Sequence, residues 1–424
     1  MNIRSQEKID KINKIRSSKI YKELLSQDLS MTFEDALDND LVLNMGPQHP
    51  ATHGVLRLVL RLDGETIINC VPELGYLHRG YEKLAENMVY HEYIPHTDRL
   101  DYLSPMSNNV AIAQAMENAL GISIPDRAKW LRTLISEMAR VSSHLMAVGS
   151  TCMDVGAMTV LLWTFVEREK LYDLFERICG ARFTTSYTRI GGLANDVSDD
   201  VLQMVRDWAN QFPKELEKSG ALVHKNRIFV ERVAGIGVVD ARKAIQLGLT
   251  GPNLRGSGVP RDLRRDEPYL VYDKLDFNVI THNEGDCWAR YMVRYDEMFE
   301  SIRMIHQILD QMPKGPTIAA TPKKVLPRKA EVYTKMEELI NDFMFINYGA
   351  LPPKGETYTP IESPKGELGF FIVSDGSGYP WKLKIRSPSA CNLQGIPYMV
   401  KGSMLSDVVA CIGSIDPVMG EADK

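Results

Sequence analysis

With 424 residues, 44% of them hydrophobic, the chain can bury the core of one large domain or of two or three ordinary ones. Its 50 Lys and Arg against 55 Asp and Glu leave a net charge of −5, so no general basic surface exists for nucleic acid, which is excluded as an expected partner. The longest strongly apolar run, 155–166, is 12 residues, short of the ~20 that span a bilayer.

The first 24 residues carry Arg4, Lys8, Lys11, Lys14, Arg16, Lys19 and Lys22 against Glu7, Asp10 and Glu23, with Ile9, Ile12, Ile15 and Ile20 as a candidate apolar stripe. The acids, and the lack of a small-residue cleavage site, argue against a targeting peptide. An extension over 1–35 that docks on a partner is expected, with a frayed, solvated helix as the alternative. A main domain over 36–424 follows. "DLVLNM" then reads as a short strand, "VLRLVLRL" as a second that sets Leu56, Leu58, Leu60 and Leu62 against Val55, Arg57, Val59 and Arg61, and Asp63-Gly64 turns the chain into "TIINCV". Between the first two strands, "NMGPQHPATHGV" places His49 and His53 four apart. On a helix that is metal-ligand spacing, but Pro47, Pro50, Gly46 and Gly54 forbid a helix interior. The histidines therefore sit on a proline-stiffened loop, which either presents a side chain into a cleft or is merely solvated.

Helical periodicity dominates afterwards, over 104–120, 125–149, 154–179, 197–218, 287–312 and 331–346, several of these opened by proline or aspartate. "KGETYTP", "KGELGFFIVSD" and "PWKLKIRSP" then read as strands, the last two separated by the turn "DGSG". No repeat or low-complexity tract interrupts this order. The expected class is α+β, mainly α, with a helical core and small β elements near both ends.

Several patterns lack what their chemistry requires. "HEYIPH" at 91–96 has its second histidine one residue too far for a zincin site, and Pro95 is expected to break the helix. "GIGVVD" at 235–240 lacks the third glycine of a dinucleotide loop, and no phosphate-binding G-x-x-x-x-G-K-[ST] exists. Cys70, Cys152, Cys179, Cys287, Cys391 and Cys411 form no C-x-x-C pair and read as free thiols in a reducing compartment, without a cysteine-built metal or iron–sulfur site.

Asp154 is different. From Val141 to Val166 the chain holds no other charged group apart from the titratable His144, so a carboxylate stands alone among apolar neighbours. It must be paired, hydrogen-bonded or protonated, or it caps a helix beginning at Val155. Tyr102, in "TDRLDYLSPMSNN", lies on the turn before a helix, where a core ring with a satisfied hydroxyl is the ordinary reading.

Taken together, "MGPQHPATHGVLRLVLRLDGE", "ELGYLHRGYEKLAEN", "RIGGL", "LTGPNLRGSG", "PKGELGFFIVSDGSGYPWKLKIRSPS" and "GSIDPVMGEADK" resemble the quinone-site D subunit of respiratory complex I and its archaeal and chloroplast relatives. The match runs from about residue 40 to Lys424. That family in turn resembles the large subunit of nickel-iron hydrogenases, whose metal-binding cysteines correspond here to Asp101, Ser104, Val418 and Glu421. Without thiolates there, no metal site is expected. The resemblance implies a hydrogenase-like helical core and a quinone headgroup, as substrate, held between His53 and Tyr102. Asp154 matches the carboxylate paired with the histidine, expected to keep it protonated until reduction, while His49 is structural. It also implies electrons from a 4Fe-4S cluster in an adjacent iron–sulfur small subunit (B-like), contacts with a C-like subunit, other peripheral-arm subunits and a membrane arm, and a peripheral place on the cytoplasmic membrane face. Alternatives are a scaffold of the same fold or a hydrogenase large subunit. Two departures stand out: Thr184, Thr185 and Ser186 occupy positions where the family commonly has one or two histidines beside the cluster, and the C-terminus is Ala422-Asp423-Lys424 in place of Val-Asp-Arg.

Overall fold

The computed structural model describes residues 41–321 and 324–424; the extension expected over 1–35 lies outside these. Strands β1 (Leu41–Met45), β2 (Arg57–Asp63) and β3 (Thr66–Glu73) form an antiparallel sheet in that order. The alternation in β2 does what it predicts: Leu58, Leu60 and Leu62 are buried, while Arg57, Val59 and Arg61 stay partly exposed. A register shift between Arg61 and Leu62 ends the regular pairing before the turn.

Helices then carry the fold: α1 (Tyr90–Thr97), α2 (Pro105–Leu120), α3 (Asp126–Asp154), α4 (Met158–Cys179), α5 (Asp199–Val223), α6 (Cys287–Gln311) and α7 (Met336–Tyr348). The second sheet, antiparallel β4 (Gly355–Ser363), β5 (Gly366–Ser374) and β6 (Lys382–Arg386), packs on α2, and α8 (Leu405–Ile415) and the short α9 (Met419–Ala422) end the chain. The class is α+β and mainly α, as expected. One local expectation fails: Pro95 does not break α1 but lies inside it. It sits near the helix end, where losing one N–H leaves the preceding turns intact, and Arg99 Nη1 donates to its carbonyl at 2.6 Å.

α3 is buried along almost its whole length and packs against α2, α4, α6 and α8. Its face toward α6 is ionic. Glu137, Arg140 and His144 on α3 meet Arg294, Glu297 and Ser301 on α6, while Arg255, Asp262 and Arg264 enter from the intervening loop and Glu362 from β4, all of them buried. Glu297 accepts from His144 Nε2 at 2.9 Å, from Arg255 Nη2 at 3.2 Å and from Arg264. Glu137 accepts from Tyr272 at 2.7 Å and Ser301 at 2.8 Å, and Arg255 reaches Glu362 at 2.7 Å. Desolvating so many charges is costly, and only their mutual compensation makes it tolerable. Removing one partner leaves an uncompensated buried charge.

This network is acid-sensitive. Burial pushes the His144 pKa down to about 4, against a hydrogen bond to Glu297 that pulls it up. Burial alone would raise Glu297, but Arg255, Arg264, His144 and Arg140 hold it well below the usual carboxylate range. An unfolded chain binds a proton at His144 near pH 6.5, so stability is present above that pH and is lost as pH falls from about 6.5 toward 4, by roughly 3 kcal/mol at ~1.4 kcal/mol per pKa unit. Loss from Glu297 follows only below its unfolded pKa. Denaturant unfolding at several pH values is expected to show the first limb, and His144→Gln to remove it while sparing the second.

Candidate functional site

The candidate site is organised by the end of α8. A helix terminus leaves carbonyls without partners, and two α6 arginines supply donors: Arg294 Nη1 reaches the Ser414 carbonyl at 2.6 Å and Nη2 the Ile415 carbonyl at 3.0 Å, while Arg290 Nε reaches Ser414 Oγ at 3.0 Å. The next residue, Asp416, is left-handed (φ 55°, ψ 57°), which turns the chain out of the helix. Its carboxylate is bound by Lys365 Nζ, from the β4–β5 turn, and lies 3.9 Å from Arg294 Nε.

The histidine loop packs against α8. Residues 50–52 make one 3₁₀ turn, whose first free N–H, that of Ala51, is accepted by His49 Nδ1 at 3.2 Å, and the His49 carbonyl accepts from Thr52 Oγ1 at 2.9 Å. His49 is thus a structural member of the loop. His53 follows in left-handed geometry (φ 51°) and projects free of any hydrogen bond among the described residues. Burial lowers its pKa below 6.5; Asp416 pulls it up and Lys365 pushes it down. Burial thus disfavours the protonated form of His53 by more than the nearby Asp416 favours it.

Tyr102 stands on the turn before α2, half-buried, with its ring against the backbone of Gly420. A β-carbon at Gly420 would lie 3.5 Å from Tyr102 Cδ1 and 2.6 Å from the carbonyls of Arg99 and Leu100, so only glycine allows this approach. Burial first, then Asp101 and Asp416, raise the phenol above its usual pKa and keep it a proton donor. Asp416 therefore acts on both His53 and Tyr102.

Asp154 does not cap a helix at Val155 as the spacing suggests. It is the last residue of α3, which closes in a left-handed glycine cap: Gly156 N–H donates to Met153 O and Ala157 N–H to Cys152 O, each at 2.8 Å, and α4 begins at Met158. Its Oδ2 is buried without a partner, and burial pushes its pKa up to about 7. The negative end of the α3 dipole favours the protonated form too. Asp154 packs on α8, where a β-carbon at Gly413 would come within 2.9 Å of Oδ2. No hydrogen bond joins Asp154 to His53 among the described residues; the carboxylate whose field reaches His53 is Asp416. Asp416, Lys365 and Arg294 are missing from the residue-level reading, although the first two lie within "GSIDP" and "PKGE".

The four positions without cysteine, Asp101, Ser104, Val418 and Glu421, are all buried, and the charge of Asp101 adds to burial in raising the Glu421 pKa. Thr185 is buried with an unpartnered hydroxyl, next to Ser186, which donates to Asp98 Oδ2 at 2.6 Å. A cavity of about 640 Å³, lined by His91, Arg189, Ile318, Val325 and Phe345 among others, includes none of His53, Tyr102 and Asp154. Those three are half-buried, the His53 loop and Asp154 against α8 and Tyr102 against Gly420 of α9, and beyond Asp154 the outer face of α4 exposes Met158, Leu162, Trp163 and Val166.

Residues 154–424 match the family model described as the respiratory-chain NADH dehydrogenase 49 kDa subunit. The chain is 55% identical over 413 residues to a D subunit of the NADH-quinone oxidoreductase of Chloroherpeton thalassium, covering 97% of this chain and 94% of that protein. It is 54% identical over 391 residues to the corresponding D subunit of Salinibacter ruber, covering 92% and 87% respectively. The chain belongs to the D-subunit family of NADH-quinone oxidoreductase. It is therefore a complex I subunit, working among other subunits of that oxidoreductase. In this complex I subunit no helix of the described residues is long and apolar enough to cross a membrane.

The carboxyl group of Asp154 is expected to titrate near pH 7 in infrared titration of the purified protein, and Asp154→Asn to remove that signal. Gly413→Ala, which favours the helix by up to ~1 kcal/mol, should leave the fold intact while displacing the Asp154 carboxyl and moving the titration.

Proposed function

We propose that His53 and Tyr102 hold the two carbonyl oxygens of a membrane quinone and deliver the protons of its reduction, with Asp154 as the proton-loaded carboxyl on the histidine side. The observation that carries this reading is that the charge of one buried carboxylate, Asp416 at the end of α8, reaches both donors, although they come from segments about 50 residues apart in sequence. Two-electron reduction of a quinone takes up two protons. A phenol kept protonated by burial supplies one. The His53 imidazole supplies the other as negative charge grows on the second oxygen, and Asp154, an acid of pKa about 7, is the proton source on its side.

The electrons come from outside the chain. Its six cysteines include no pair at cluster-binding spacing, and an adjacent B-like small subunit bearing a 4Fe-4S cluster is the proposed donor. The half-buried donors and the apolar outer face of α4 support a site that other chains complete, with C-like and other peripheral-arm subunits and the membrane arm closing it and coupling the reaction to proton translocation at the cytoplasmic membrane face. Asp101, Ser104, Val418 and Glu421 supply no thiolate, which supports a quinone function without a hydrogenase metal. A non-catalytic scaffold would need none of the three donors.

Tyr102→Phe in the assembled complex is expected to slow quinone reduction by ~10²–10³, the typical loss for one donor of this kind, while the iron–sulfur centres still become reduced by NADH; unchanged turnover would refute the assignment. His53→Ala and Asp154→Asn are expected to be non-additive, since they serve one proton path. Steady-state kinetics of the single and double variants would instead give simple addition if Asp154 acts independently.

A further inference from the structure

We propose that Asp101 and Glu421 form a buried carboxyl pair that shares one proton and returns it to Tyr102 after the phenol has protonated the quinone. The inference rests on the quinone reading above and adds to it the residues that reset Tyr102.

Both side chains are wholly buried. Glu421 Oε1 accepts from the Ser389 N–H at 3.0 Å and from the Ser389 hydroxyl, and Asp101 Oδ1 accepts from the Leu103 N–H at 3.1 Å. The other oxygen of each, Asp101 Oδ2 and Glu421 Oε2, has no partner. A buried carboxylate oxygen without a donor is costly, whereas a protonated carboxyl turns one oxygen into a donor and removes the charge. Gly420 fits against the Arg99 and Leu100 carbonyls and the Tyr102 ring, which draws the segment before Glu421 onto the segment around Asp101.

Lys365, Arg168 and Lys424 face these carboxyls, yet among the described residues none of them forms an ion pair with Asp101 or Glu421, and Lys424 is bound to the Ile385 carbonyl. Three buried carboxyls, Asp101, Asp416 and Glu421, share the field of Lys365, and its ammonium is bound to Asp416. Arg294 is taken up by the Ser414 and Ile415 carbonyls. Arg168 acts on Asp101, but its Nε donates to Ser142 at 3.2 Å and its guanidinium lies over the Phe165 and Tyr172 rings. With no cation paired to either acid, one proton relieves the unpartnered oxygens. Consistently, burial and then Asp101 push Glu421 up to about 8, and burial raises Asp101, with Asp416 adding to the rise and Lys365 opposing it.

Tyr102 directly follows Asp101. When two electrons from the iron–sulfur donor reach the quinone, the Tyr102 O–H bond breaks and its proton forms an O–H bond on the quinone oxygen. The phenolate then takes the proton of the pair, which is left as two carboxylates and is reloaded from water. Two adjacent buried charges repel, so the transfer to phenolate is incomplete without that reloading, and the pair acts through Tyr102 by holding a proton ready.

The test uses the assembled complex. Redox-induced infrared difference spectra are expected to show, besides the Asp154 band that Asp154→Asn removes, a second protonated-carboxyl band that responds to quinone reduction, shifts in D₂O and disappears in Glu421→Gln and in Asp101→Asn. Wild-type turnover should fall as pH rises through about 8, where the pair empties, and the Glu421→Gln complex should lack that limb and turn over about tenfold more slowly. That is less than the ~10²–10⁴ for direct loss of a general acid, because water still reaches Tyr102. The second band, insensitive to Asp154→Asn, and the limb near pH 8 overturn the pair if they persist in both variants. If one variant fails to assemble, the other carries the test through the same band and limb. Tyr102→Phe separates the levels: impaired turnover with an unaltered band and limb in the carboxyl variants refutes only the pair, whereas unaltered turnover in Tyr102→Phe refutes the quinone reading.

Discussion

The arrangement depends on how one helix end is held. α8 finishes inside the protein, where its last carbonyls would be stranded; Arg294 of α6 donates to two of them, and Arg290 holds the Ser414 hydroxyl. Cationic donors there also complement the negative pole of the helix. The left-handed Asp416 that follows is then bound by Lys365, and its charge reaches Tyr102, Asp101 and His53. Moving this carboxylate would alter every titratable group beside it. Gly413 and Gly420, flanking it, admit Asp154 on one side and the Tyr102 turn on the other.

The same logic extends inward. The α3–α6 interface is ionic where most helix pairs are apolar, and its acids and arginines keep each other charged while His144 stays neutral. Replacing such a network by apolar side chains could leave stability similar, whereas an unmatched deletion would not. The outer face of α4 leaves Met158, Leu162, Trp163 and Val166 exposed.

Much of this was legible in the sequence. The leucine alternation of β2, the long periodic helices and the strand-forming C-terminal segments each follow from local spacing, since burial on one face of a strand or helix imposes a period of its own. Gly46, Pro47, Pro50 and Gly54 correctly ruled out a helix for the histidine loop, because φ restriction and missing donors act within a few residues. The isolation of Asp154 in an apolar stretch pointed to a protonated or paired carboxyl, and its raised pKa follows from the same burial. Its place at the end of α3 was misjudged because the Gly156 cap competes with an aspartate N-cap on nearly equal local terms.

What the sequence by itself determined is the set of elements and the family, since periodicity, turn residues and ordered motifs are local properties of the chain. Only the tertiary structure decided the electrostatics. Arg290, Arg294, Glu297 and Ser301 at helical spacing on α6 look like a solvated face, yet they are buried against α3 and α8. Whether a charge meets water or an opposite charge depends on which distant segment packs over it, as Lys365 packs over Asp416 51 positions away. Solvation and Coulomb energies are functions of that three-dimensional surrounding, so the protonation states of His53, Tyr102 and Asp154 emerge only when the chain is folded.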